Sequence, residues 1–449
     1  MRMAGSRSPG GGRYGALPPP GRRRSRRALA GTAVSFVAAS VLSGCGGGTG
    51  GSTLVWYTNP DSGGQAEIAR LCTEESGGAY RIETSQLPRE ASQQREQLIR
   101  RLAANDSSID LMSLDPPFIP EFAQAGFLAP VPDGVADRVT EDVVQSAIDG
   151  AMWDDELVAL PFWANTQLLW FKKSVAEAAG LDMDQPVTWD QLVDAAEQQG
   201  TTIAAQGARA ESLTVWLNAL IESAGGSIIE ENSTDPEQIQ LGLASDAGIR
   251  AAEVMRRVAE VTPPAFSTAN EDANATDFEQ GDAAFMVNWP FVYPRALGAV
   301  EAGTLDPSVP EDYGWALYPR VDEDEESAPP LGGINIAVGA FSEKVDAAYE
   351  AAECIVSAEN QARYFVSDGN PAAHRAAYED EDVLEAFPQA PLIRDSLELA
   401  APRPQTVYYN EVSGGIQREY HPVSTIDPER TPESAAELIS AVLRGEQLL

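Results

Sequence analysis

Apolar and polar positions alternate between two periods in the first third of the chain. Ser52 to Tyr57 (STLVWY) predicts a strand, stopped by the polar turn Thr58 to Gly64. A helix is predicted from Gln65 to about Ser76, closed by Gly77-Gly78. Tyr80 to Ser85 predicts a second strand and Ser92 to Asn105 a helix, with Leu98 and Leu102 one turn apart. Ile109 to Leu114 predicts a third strand, ended by Asp115-Pro116-Pro117. Strands alternating with helices of about 10–15 residues predict βαβ units and a parallel sheet. Ligands bind such sheets beyond the carboxyl ends of the strands. Asn59, Gln86 and Asp115 each follow a strand and form the first candidate constellation.

Further on, Leu157 to Leu160 leads into Pro161–Gln167 and then LLWF, which predicts a first crossing into another lobe. Thr188 and Gln191 form a capping box opening a helix to Gly200. Glu211 to Ala224 is amphipathic, with Leu213, Trp216, Leu217 and Leu220 on one face, and Asp246 to Glu260 is another helix. The stretch FEQGDAAFMVNWP, Phe278 to Pro290, predicts a helix end, a left-handed glycine at Gly281, a covered strand from Ala283 to Val287, and Trp289 on a loop. Pro290 stops the strand because it cannot donate to a ladder. Trp289 is then either a flat surface for a ligand or a core residue beside a turn. LGGINIAV, Leu331 to Val338, predicts a glycine turn feeding a buried strand. It lacks the Lys-Ser/Thr of a phosphate loop, so its backbone is expected to approach a ligand or hinge closely. Ser342 is expected to cap a helix carrying Cys354, and a last helical section starts near Gln389.

Charge narrows the partners. At 449 residues the chain is too long for one core. Its net charge of -37 conceals an asymmetry, because the first 44 residues carry eight Arg and no acid. The remainder has 23 basic residues against 68 acidic ones, which repels nucleic acid and anionic membranes and favours neutral or cationic cargo. Arg22 to Arg27 precede the apolar run Ala28–Leu42 and then Ser43-Gly44-Cys45, the layout of a secretory signal. The run is short for a membrane span, which needs about 20 apolar residues. LSGC resembles the lipobox of bacterial lipoproteins, so Cys45 is the expected lipidation site, followed by a Gly/Ser/Thr tether. The export route, general secretory or twin-arginine, stays open. Cys72 and Cys354 remain in an oxidising compartment and are expected to form a disulfide that returns the chain to its first lobe, two buried free thiols being the alternative.

Chemistry is sparse. His374 and His421 are the only histidines and neither has a partnering motif, which leaves Ser–His and His-metal chemistry without support. The acidic run Asp322–Ser327 reads as a solvated loop in preference to a cation site. No cofactor or metal is called for. A glycoside hydrolase needs only two carboxylates across a cleft, and nothing in the spacing of the acids favours it.

Several segments carry a resemblance: LPR at 87–89, LD…EFAQAG from 114, NTQLLWF at 165–171, VWLNALIESAGGS at 215–227, FEQGDAAFMVNWPFV from 278, GGINIAV at 332–338 and PRP at 402–404. In these the chain resembles the extracellular solute-binding lipoproteins of bacterial carbohydrate ABC importers, and within them the trehalose-binding lipoproteins of mycobacterial importers. Both cysteines also fall where those proteins have theirs. The resemblance implies an α/β, two-lobe, periplasmic-binding-protein-like fold of the sugar-binding type, with hinge crossings near Phe162, Pro330 and Gln389. It implies that Asp115, Asn165, Glu211, Trp289, Gly333 and Arg403 line the cleft. Asn59 matches less well, because the turn Thr58–Gly64 differs, and Gln86 is carried by its place after a strand. The expected layout is signal peptide 1–44, tether 45–52, N-terminal lobe 53–162 plus 332–388, and C-terminal lobe 163–331 plus 389–449. The implied role is a monomeric protein, lipid-anchored outside the cytoplasmic membrane, that captures trehalose and hands it to a permease. A maltose-type sugar is the alternative cargo.

Overall fold

The computed structural model describes residues 51–449; the signal peptide, Cys45 and most of the tether lie outside the described residues. Two sheets organise the chain. The first holds β1 (Ser52–Thr58), β2 (Tyr80–Gln86), β3 (Leu111–Leu114), β4 (Leu160–Thr166) and a late strand, β9 (Leu331–Val338), in the order β2-β1-β3-β9-β4. The second holds β5 (Leu168–Lys172), β6 (Thr202–Ala204), β7 (Ala283–Asn288) and β8 (Tyr313–Ala316), in the order β8-β5-β7-β6. The expected parallel pattern holds for β1 with β2 and β3, whereas β9 runs antiparallel to both β3 and β4. The sheet is therefore mixed: βαβ units open it and a strand from much later in the chain joins it.

Each sheet carries a core, and a further cluster joins the two, with Ala164 and Leu331 of the first sheet beside Leu168, Trp170 and Met286 of the second. Leu54, Trp56, Ile68, Phe162 and Ile336 pack with helices Val345–Ile355 and Ala358–Asp368 on the first sheet. On the second, Phe285 and Val287 pack with Trp189 and Trp216 from helices Trp189–Gln199 and Glu211–Ser223. The helix Tyr409–Glu419 joins the second core through Val412 and Ile416. Trp216 is fully buried there. The Thr188/Gln191 capping box forms as the spacing predicts. A disulfide joins Cys72 to Cys354 across 282 positions, tying the first helix to one that follows β9.

Four local expectations change. The division expected at 162/163 falls inside β4, and the chain passes between sheets at the fully buried Gln167. Gly281 is extended, at φ -105° and ψ -160°; a Cβ there would meet the Asp277 carbonyl oxygen at 2.7 Å, so close approach explains the residue. Gly332 and Gly333 lie within β9, where a glycine turn was expected. Ser342 lies outside its helix: its hydroxyl accepts from the Lys344 N–H and donates to buried Asp110.

Candidate ligand-binding cleft

Topology brings the candidate residues to one edge. Asp115 follows the carboxyl end of β3, and β9 runs antiparallel to β3 with Asn335 opposite Leu114. The amino end of β9 therefore lies beyond that edge, with Gly332 opposite Asn165 and Gly333 opposite Ala164. In the second sheet Asn288, the last residue of β7, pairs with Leu168, the first of β5. Trp289 thus leaves its strand next to the crossing at Gln167.

A cleft of about 710 Å³ opens there, lined by Asp115, Asn165, Glu211, Trp289, Gly333 and Arg403 among others. Gly333 holds φ +117°, and a Cβ on it would meet the Trp163 carbonyl oxygen at 2.2 Å, so only glycine fits. Asn288, fully buried, fixes the turn beneath the aromatic residue. Its amide donates to the Glu271 carbonyl at 3.0 Å, and its Oδ1 accepts from the Trp289 N–H at 2.9 Å.

Arg403, 5% exposed, is the hub of the ionic part of the lining. Its Nη2 donates to Asp115 Oδ1 at 2.5 Å and its Nη1 to Glu211 Oε1 at 2.7 Å. Tyr409 also donates to Glu211 Oε1, and Ser413 donates to Oε2 at 2.7 Å. One cation thereby joins a carboxylate at the tip of the first sheet to one opening a helix on the second. Burial opposes the Arg403 charge, but Asp115, Tyr409 and Glu211 outweigh it and hold the guanidinium firmly protonated. Burial pushes the Asp115 carboxyl upward against the pull of Arg403, with Glu211 adding to the push. Burial and then Glu211 push the Tyr409 hydroxyl far up, so it remains a donor.

Asn59 and Gln86 do not reach the cleft. Gln86 is exposed at the end of the edge strand β2, two strands from β3 and so roughly 10 Å from Asp115 at ordinary strand spacing. Asn59 turns its amide to Gln94 at 2.9 Å, and its neighbour Pro60 lines the cleft instead. Glu271 and Arg89 are among the lining residues absent from the candidates. Glu271 opens the helix Glu271–Gln280, and burial pushes its carboxyl up, with Asp272 and Glu90 adding like charge and Arg89 opposing. Arg89, in the shared LPR segment, pairs with Asp272 at 2.8 Å across the rim.

Two α/β halves facing each other across a cleft, joined by chain crossings at its base, define a two-lobed ligand-binding protein. Residues 57–362 match the family described as bacterial extracellular solute-binding protein, and the chain belongs to that family. Its members bind solutes outside the cell and are not enzymes. A probable ABC transporter-binding protein of Deinococcus radiodurans is 25% identical over 60% of this chain, and the match spans 64% of that relative's length. A mannitol-binding protein of Pseudomonas aeruginosa is 24% identical over 70% of this chain and 72% of its own. Among solved structures, maltose-bound MalE3 of T. maritima superposes with a TM-score of 0.73 at 24% identity, covering 88% of this chain and 100% of that one. The GacH receptor of Streptomyces glaucescens gives 0.70 at 19% identity, covering 88% and 98%. Among the described residues no helix is long and apolar enough to cross a membrane.

Proposed function

We propose that this protein is the sugar-binding component of an ABC importer, and that its ligand is trehalose. The observation that carries the reading is that one cleft is lined both by Trp289 and by the Asp115–Arg403–Glu211 network. The apolar C–H face of a pyranose packs on an indole, while its hydroxyls need the dense donors and acceptors that carboxylate, amide and guanidinium groups supply. A neutral ligand also suits a protein this acidic. Two of the similar proteins are named for uncharged polyhydroxyl ligands, mannitol and maltose, while another is named as a probable amino-acid binding protein. The maltose-bound neighbour makes a maltose-type sugar the second reading.

In this account lipid on Cys45 tethers the protein at the outer face of the cytoplasmic membrane, and the lobes close on sugar by hinge motion at the crossings before presenting it to the permease. A disaccharide of about 23 non-hydrogen atoms at about 0.3 kcal/mol each reaches a Kd on the order of 10 μM, suited to capture and release. A thermal-shift panel of neutral sugars tests the ligand. Trehalose is expected to give the largest rise in Tm; a rise with maltose and none with trehalose transfers the assignment to the second reading.

A further inference from the structure

Across Glu211 from the cleft lies a second space. A smaller chamber of about 280 Å³ is lined by Ser92, Phe118, Asn410, Ser413 and Gln417 among others. Glu90, Ala91, Arg209, Ala210 and Glu211 border both spaces, so the two meet along one strip. Ligand pockets typically measure about 300–1,000 Å³. The main cleft falls within that range, while the chamber falls just below it and is better suited to hold part of a ligand than a whole one.

Its chemistry is that of a hydroxyl-rich, uncharged group. Ser413 and Gln417 stand one helical turn apart on Tyr409–Glu419, with Gln417 donating to Ser413 at 2.9 Å and Ser413 donating to Glu211 Oε2 at 2.7 Å. Glu211 is thereby held from both sides, and its carboxylate faces the passage as an acceptor. Glu90 and Glu211 outnumber Arg209 along the strip, which disfavours an anionic substituent. Ala91, Ala210 and Ser92 present small side chains there, while Phe118 and Leu449, the latter packed against Gly414, supply apolar surface.

We propose that this chamber is an extension subsite that takes a third, uncharged sugar unit of a ligand whose first two units occupy the cleft beside Trp289. The inference rests on the sugar-binding reading and adds the length of ligand the protein accepts. Ser92, exposed at the second position of Ala91–Leu102, faces the chamber without lining the main cleft, so Ser92→Trp fills the chamber selectively. Calorimetric titration compares wild type and Ser92→Trp with trehalose, maltose, and the trisaccharides carrying one further glucose on each. Wild type is expected to bind a trisaccharide at least as well as its parent disaccharide. Ser92→Trp is expected to lose about tenfold or more for the trisaccharide while staying within about twofold for the disaccharide. Disaccharide binding by wild type without trisaccharide binding overturns the subsite, as does equal trisaccharide affinity in both proteins. Failure of wild type to bind any of the sugars overturns the sugar-binding reading itself. Asn410→Trp, which fills the chamber from its opposite wall, repeats the comparison should Ser92→Trp fail to fold.

Discussion

The ionic and aromatic parts of the cleft lining, its two walls, solve different problems. Around Arg403 every charge already has a partner: the guanidinium holds Asp115 and Glu211, and Tyr409 and Ser413 complete the second carboxylate. That network is internally hydrogen-bonded in the structure, and it offers a ligand the lone pairs it leaves over. Around Trp289 the groups are less committed. The indole is partly exposed, and Glu271 is a half-buried carboxyl with like charges nearby. Asn288 holds the backbone beneath the ring. A buried ion network fixes geometry at a desolvation cost, whereas an aromatic face supplies contact area at little cost to the fold. Stability and affinity should therefore separate between the walls.

Arg403→Ala should produce the largest effect, because it leaves Asp115 and Glu211 facing each other without their cation. Breaking such a buried pair costs about 3–5 kcal/mol, so chemical denaturation should show a large loss of stability together with loss of sugar binding. Trp289→Ala should instead reduce affinity by about tenfold to hundredfold in a calorimetric titration, with little change in the denaturation midpoint. If Trp289→Ala destabilises the fold as much as Arg403→Ala does, the contrast between the walls is wrong. Removing the disulfide by Cys72→Ser with Cys354→Ser should cost about 2–5 kcal/mol of stability and leave affinity unchanged, because the bridge lies away from both walls. Glu222 offers a smaller, pH-dependent effect. Burial pushes its carboxyl from 4.5 up to about 7. A carboxyl raised in the folded state favours the protonated chain, so its contribution is full below the unfolded value and declines as pH rises toward 7. Glu222→Gln should flatten that decline in Tm measured between pH 4.5 and 7. Arg89→Ala should matter least: the rim pair with Asp272 is exposed on both sides, so affinity should change by no more than about threefold.

Much of this was legible in the residues, and the failures have physical causes. Strand–helix alternation revealed the first βαβ units, and the Thr188/Gln191 box marked its helix because a cap is a local interaction. The mixed direction of the first sheet was not legible, since the place of β9 depends on a contact between segments more than 200 positions apart. Six candidates meet in one cleft: Asp115, Asn165, Glu211, Trp289, Gly333 and Arg403. Gln86 failed because following a strand says nothing of whether that strand lies at the centre of the sheet or its edge. Glu271 was missed for the opposite reason: Asn270-Glu271-Asp272 is an ordinary capped helix start, and nothing local tells a carboxyl facing a cleft from one facing solvent. Asn288, fully buried, secures the turn through its bonds to the Glu271 carbonyl and the Trp289 N–H. Gly281 shows that a glycine after a helix can answer to crowding as well as to a left-handed cap.

Calorimetric titration of the purified protein with trehalose, run beside Trp289→Ala, tests the central claim most directly. One site per chain is expected, with a Kd on the order of 10 μM, weakened in the variant while its fold persists. Absence of binding by the wild-type protein, or unchanged binding after loss of the indole, would contradict it.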